Sequence, residues 1–368
     1  MRYLYYCNST YQLLTVMNLH WHRKNAGFEN IDDYKADLIL LNAFNGAEDV
    51  VRILKENKVF DDVTLIERKF NQGSFHRIKT VLDVLFPFYY LKNKYDFDKK
   101  YIRDRYDVIT VPKYSTIVGA IWRVNKDADL HLYEDGLGTY YLNVDLLIPH
   151  ARSYRFMYEK GLAKDFTNFS SLYLNAPELY SGTWNKNVLG VPKFDKNYLK
   201  EVQKMFSEFS SIDNEDNKDI YWLAQTLEND ETIRIISDVL ATLEKHKERV
   251  LYCPHPRWPE KEKPIYDMSP DKQIWEMKLL NMNDIDRKCF ISIHSTACLT
   301  PKLLFDEEPY LILFYHLIDD KVIERNEQFE HTMKLFIDTY KHKERIMLPK
   351  TKDEFVECVD KFIKINEN

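Results

Sequence analysis

Two adjacent carboxylates, Glu134 and Asp135, sit in the run His131-Leu-Tyr-Glu-Asp-Gly-Leu-Gly138, where a β-rich segment ends and two glycines free the backbone for a tight turn. Neighbouring acids oppose each other's ionisation, and an acid tuned in this way at a cleft is suited to act as a general base. An acidic turn with a left-handed glycine would read the same. In a second run, Tyr252-Cys-Pro-His-Pro-Arg257, His255 is fixed between Pro254 and Pro256. Both prolines restrict the backbone. A histidine held so rigidly suits a ligand phosphate, as hydrogen-bond donor or general acid, and Arg257 would add charge. As a plain surface loop, the same prolines would only end a strand.

Two further strand ends carry polar groups. In Ile293-His-Ser-Thr-Ala297, the hydroxyls of Ser295 and Thr296 open a helix, where free amides and hydroxyls can take a phosphate. An ordinary serine cap has the same pattern. In Trp222-Leu-Ala-Gln-Thr-Leu-Glu-Asn-Asp-Glu231, Gln225 and Asp230 follow a strand. Asp230 is a second candidate base, although the helix dipole alone favours acids in a first turn.

Chemistry at strand ends needs strands in parallel, because open α/β sheets bind ligands beyond their carboxyl edges. Short β-rich runs alternate with helix-period segments in the order that predicts this architecture. The first half reads as strand 3–7, helix 11–22, strand 37–42, helix 47–56 and strand 62–66. It continues with a long helix 74–94 kinked at Pro87, strand 107–111, helix 116–124 and strand 128–133. Residues 181–218, rich in Asn, Lys, Asp and Ser, read as a connection. The alternation then restarts with strand 219–224, helix 230–244, strand 249–253, helix 272–280, strand 289–293 and helix 296–305. Strand 310–314 and helices 326–340 and 353–365 complete it. The expected architecture is α/β with two Rossmann-like domains about a central cleft, residues 1–190 and 191–368.

Length supports two domains, since 368 residues exceed the usual single core. A net charge of −6 argues against nucleic acid as partner, which calls for a basic face. An anionic ligand would therefore be held by local donors. Five dispersed cysteines read as buried free thiols of a reducing compartment. The start lacks the pattern of a secretory leader, and no run of 18 apolar residues occurs. These features predict a cytoplasmic protein, with peripheral membrane association left open. The aromatic cluster Phe86, Phe88, Tyr89 and Tyr90 is either core or a homodimer interface.

Taken in order, the acid pair followed by glycine, the His-Pro dipeptide and the Ser-Thr pair resemble the motif set of several bacterial sialyltransferase families. The segments Cys7-Asn-Ser-Thr-Tyr-Gln-Leu-Leu14 and Leu223-Ala-Gln-Thr-Leu-Glu-Asn-Asp230 are most similar to glycosyltransferase family 52, which holds lipooligosaccharide and capsular sialyltransferases. The likeness keeps order and spacing from residue 3 to about residue 314. It implies a GT-B fold, inversion at the anomeric carbon, CMP-Neu5Ac as donor, a galactose-terminated glycan or a sialic acid as acceptor, and no metal or other cofactor. No Asp-x-Asp of the metal-binding kind follows a strand, which fits.

The resemblance also implies roles. His255 would bind or protonate the departing CMP phosphate with Pro256 fixing it, Ser295 and Thr296 would bind the same phosphate, and Glu276 would take the ribose hydroxyls. Gly136 and Gln225 complete the expected donor-binding set. The base is Glu134 or Asp135 in the first domain, or Asp230 in the second. Other GT-B chemistry, hexosyl or polysialyl transfer, is the alternative among enzymes; a non-catalytic nucleotide- or glycan-binding protein of capsule assembly is the alternative outside them.

Overall fold

The computed structural model describes residues 1–27, 32–67, 106–113, 115–141, 169–184, 186–209, 218–225, 229–255, 265–269, 274–323 and 325–367. The chain divides into two compact units, Met1–Pro192 and Lys193–Asn368. The expected helix 74–94, with Pro87 and its aromatic cluster, lies outside the described residues, as do Pro256 and Arg257.

The first unit holds a seven-stranded sheet in the order β3-β2-β1-β4-β5-β6-β7. Its strands are β1 Arg2–Cys7, β2 Lys35–Leu41, β3 Asp62–Ile66, β4 Val108–Val111, β5 Asp129–Tyr133, β6 Phe169–Leu174 and β7 Asn187–Gly190. Every pairing is parallel. Strands such as β1, buried from Tyr3 to Cys7, carry large apolar side chains on both faces because both faces are covered. The order reverses between β1 and β4, which is the topological switch point of the sheet.

Three helices of this unit are α1 Thr10–Asn25, α2 Ala47–Glu56 and α3 Thr116–Val124. Ser9 caps α1 by accepting from Gln12 N at 3.3 Å, and Ser115 caps α3 in the same way from Val118 N. α1 is buried nearly all round, polar residues included. Each buried polar group therefore needs a partner. Asn18 donates to the Pro192 carbonyl at 2.6 Å, and the partners of Gln12 and Thr15 lie at the strand ends described below. His20 donates from Nε2 to the Val59 carbonyl at 2.8 Å, so its Nδ1 accepts from the Tyr34 hydroxyl. Tyr34 in turn accepts from Tyr5, and Tyr5 from the buried Arg23.

The second unit holds a six-stranded sheet in the order β10-β9-β8-β11-β12-β13. These strands are β8 Ile220–Leu223, β9 Val250–Cys253, β10 Asp267–Met268, β11 Cys289–Ser292, β12 Tyr310–Leu313 and β13 Ile346–Met347. All of them pair in parallel. The helices are α4 Lys196–Met205, α5 Asp230–Ala241, α6 Trp275–Asn281, α7 Thr296–Thr300, α8 Glu327–Thr339 and α9 Lys352–Asn366. Here the order reverses between β8 and β11.

The structure corrects one reading. Residues 181–218 are not merely a connection: they supply the edge strand β7 to the first unit and α4 to the second. The sequence pattern does not mark β6 and β7, because Phe169–Leu174 carries Ser170 and Ser171, and Asn187–Gly190 is only four residues long and half-exposed. All five cysteines are unpaired, four of them buried. Burial pushes the Cys7 thiol up to about 12. No described helix is long and apolar enough to cross a membrane.

Candidate active site

Where β5 ends, the two acids of the first unit separate by environment. Successive side chains leave a strand on opposite sides. Glu134 goes inward and is 0% exposed. Tyr11 and Tyr140 donate their hydroxyls to Oε1 and Oε2, and the Asn175 backbone N–H donates to Oε2 at 2.8 Å. The Asn175 side-chain amide also reaches the Tyr11 hydroxyl at 3.3 Å and Thr15 Oγ1 at 3.2 Å. Through one carboxyl group, β5 and the segment after β6 are tied to α1. Burial and the neighbouring Glu134 charge hold the Tyr140 hydroxyl well above its ordinary range, so it remains a donor.

Asp135 turns outward and keeps 26% of its side chain exposed. Its Oδ1 accepts from Gln12 Nε2, and its Oδ2 pairs with Lys113 Nζ at 2.8 Å. Gln12 accepts from Asn8 N at 2.7 Å through Oε1, so the amide nitrogen is the end directed at Asp135. The Asp135 backbone N–H donates to Thr139 Oγ1 at 2.9 Å. Gly136 follows with φ 121°, a backbone that a side chain would strain, so its place here is that of a turn. Asp135 is thus gripped by residues that follow β1 and β4, the two strands at the switch point. A carboxylate fixed at both oxygens yet open to solvent can accept a proton from a ligand. Glu134, saturated and sealed, cannot reach one.

In the second unit, three adjacent strands end together. Leu223 pairs with Cys253, and Trp222 with Ile291. The residues that follow these pairs, Gln225 after β8, His255 after β9 and His294 to Thr296 after β11, therefore leave the same edge of the sheet. Gln225 ties two of these ends: its Oε1 accepts from His294 N at 3.0 Å and lies 3.0 Å from Ser292 Oγ. Its amide nitrogen has no partner among the described residues. His255 is half-buried.

Ser295 caps α7, accepting from Ala297 N at 3.2 Å, and Thr296 opens the helix. The α-helical turns pass into a π-helical turn at Pro301–Phe305, because Pro301 has no N–H to offer the Ala297 carbonyl. Trp275 Nε1 fills that carbonyl instead, at 2.9 Å. This bond places the first turn of α6, and with it the half-buried Glu276, beside the Ser-Thr motif. Asp230 is an exposed first-turn acid of α5, the helix that follows β8, and its cap is Asn229. Among the described residues, no three His, Cys, Asp or Glu side chains gather as a metal site.

Tyr11, Gln12, Lys113, Thr139, Tyr140 and Asn175 also hold the acids, although the sequence pattern does not single them out as site residues. Tyr11 and Gln12 lie inside the motif at the chain's start, whereas Lys113 and Asn175 are legible only once β4 and β6 are placed.

A family model described as alpha-2,8-polysialyltransferase matches residues 4–269. Comparison with curated proteins finds no match. Among solved structures, the chain is similar to a UDP-GlcNAc 2-epimerase from Methanocaldococcus jannaschii, at 12% identity over 100% of this chain and 94% of that one, with a TM-score of 0.53. It is also similar to a UDP-GlcNAc 2-epimerase from Neisseria meningitidis, at 10% identity over 100% and 92%, with a TM-score of 0.50. At such identities the likeness shows the fold alone, α/β of the GT-B type with two Rossmann-like domains.

Proposed function

Since the chain belongs to the alpha-2,8-polysialyltransferase family, we propose that it transfers N-acetylneuraminic acid from CMP-Neu5Ac to a hydroxyl of a bacterial surface glycan, by inversion and without a metal. The observation that carries the donor side is the gathering of Gln225, His255, Ser295 and Thr296 at one sheet edge, around a switch point. None of the four needs a formal positive charge to serve a phosphate, since hydrogen-bond donors suffice.

In this reading Asp135 is the general base. It takes the proton of the acceptor hydroxyl as that oxygen attacks the anomeric carbon, the bond from that carbon to the CMP phosphate oxygen breaks, and CMP departs with the electron pair. His255 donates a hydrogen bond to the leaving phosphate, Ser295 and Thr296 hold it, and Glu276 takes the ribose hydroxyls. Glu134 serves as the buried strut beneath Asp135. Asp230 is the reserve candidate for the base, and its exposure leaves it free to act.

The motif likeness to glycosyltransferase family 52 goes with a galactose acceptor. The family match favours a second reading in which the acceptor ends in sialic acid and transfer repeats. One assay covers both. The purified protein is incubated with CMP-Neu5Ac and EDTA, with lactose or sialyllactose as acceptor, and CMP release and product are followed. Release with sialyllactose alone selects the second reading. No release with either acceptor would overturn the proposal, and release only after a divalent metal is added would overturn its metal independence.

A further inference from the structure

His294 lies at the second unit's switch point, between the Ser292 end of β11 and the Ser-Thr motif, and no step above uses it. Its backbone N–H is held by Gln225, which anchors the base of the ring. The ring stands edge-on to Phe329, with centroids 5.8 Å apart and planes at 83°. Its Nδ1 is buried, Nε2 stays accessible, and neither nitrogen has a hydrogen-bond partner among the described residues.

An orphaned polar atom in a buried setting costs stability and calls for a reason. It also fixes the tautomer. A proton on Nδ1 would be buried without an acceptor, so the neutral ring carries its hydrogen on Nε2. Burial lowers the imidazole's protonation to about pH 4, which keeps the ring neutral under ordinary conditions. The ring's one polar hydrogen is therefore carried by a residue at the same strand edge as Gln225, whose amide hydrogens have no partner among the described residues. Packing alone does not call for this residue, since a phenylalanine would meet Phe329 equally well and bury nothing unsatisfied.

We propose that His294 is a donor-binding residue whose Nε2–H hydrogen-bonds an oxygen of the nucleoside monophosphate part of the donor. The inference rests on the reading of the second unit as the nucleotide site.

The test is calorimetric binding of CMP, with unliganded melting temperature measured alongside, for the wild type, His294→Phe and His294→Gln. Glutamine can place an amide N–H near the position of Nε2, whereas phenylalanine removes the donor and keeps the ring. The expected result is that His294→Phe melts at or above the wild-type temperature and binds CMP about tenfold or more weakly, the scale of one hydrogen bond to a charged group. His294→Gln should stay within about threefold of the wild type. CMP affinity of His294→Phe within about twofold of wild type sinks the proposal, as does a His294→Gln variant as weak as His294→Phe. A wild type that binds no CMP overturns the nucleotide reading itself, which is a different outcome from variants that bind normally.

Discussion

The two switch points are built on opposite principles. In the first unit, the strand ends close around their acids. Glu134 receives Tyr11, Tyr140 and Asn175, and Asp135 receives Gln12 and Lys113, so both carboxylates are held by donors of the protein itself. In the second unit, Gln225 gives up its oxygen internally while its amide hydrogens have no partner among the described residues. A carboxylate already held by the protein is fixed in place without a ligand, and of the two only Asp135 also keeps a side open to solvent. A strand edge that holds such unspent donor hydrogens is suited to receive an anion. The contrast divides the proposed reaction between an acceptor-activating unit and a donor-holding unit.

The largest expected effect tests that division. Asp135→Asn keeps the hydrogen-bonding shape but removes the proton acceptor, so transfer should fall by a factor on the order of 10³, within the range for a general base, while CMP affinity stays at the wild-type value. Equal activity of Asp135→Asn together with an inactive Asp230→Asn would move the base into the second unit and dissolve the contrast. Next in size is His255→Ala, expected to lower transfer by about 10² through lost stabilisation of the leaving phosphate. A steady-state assay that shows the wild-type rate for this variant would remove His255 from the chemistry.

Glu134 sharpens the comparison from the side of stability. Replacing it with alanine strands two tyrosine hydroxyls and the Asn175 N–H in a buried space, a loss of about 3 kcal/mol. Urea denaturation should show this, with CMP affinity of the folded fraction unchanged. A variant as stable as the wild type would show that Glu134 is not the strut that its contacts describe. Glu134 and Asp135 look equivalent as letters, and only the alternation of side chains at the end of β5 separates them, one to the interior and one to solvent.

That separation marks the limit of what the sequence made legible. The α/β alternation is readable because parallel strands such as β8 and β9 are buried on both faces and so read as unbroken apolar runs. β6 and β7 are not, since serines interrupt one and the other is a short edge strand lying in a polar stretch. The acid pair, His255 and the Ser-Thr pair stood out as motifs at strand ends. Their partners did not. Lys113 and Asn175 belong to the site only through pairings of β4 and β6 with strands 20 or more residues away, as the registers Val111 with Leu132 and Tyr133 with Tyr173 show. Gln12, visible in the opening motif, had no acid to point at until β1 was known to lie two strands from β5.

The smallest effect concerns acid stability and again sets the units side by side. His20 in the first unit is buried and neutral, its protonation lowered to about pH 4, first by burial. His294 in the second unit is lowered to about 4 by burial as well. An unfolded histidine takes its proton near pH 6.5, so between pH 6.5 and 4 the unfolded chain binds protons that the folded chain refuses. Stability is therefore complete above pH 6.5 and falls as the pH drops through that window. For His20 the loss amounts to about 1.4 kcal/mol at pH 5.5. Its neutral ring is locked between a donor and an acceptor, Tyr34 and Val59, whereas His294 has an empty nitrogen. Saturating CMP should thus offset acid destabilisation of the second unit and leave that of the first untouched. Hydrogen exchange at pH 7 and pH 5.5, with and without CMP, would read the two units separately, and protection of both by CMP would show that the strand ends of the first unit also depend on the nucleotide.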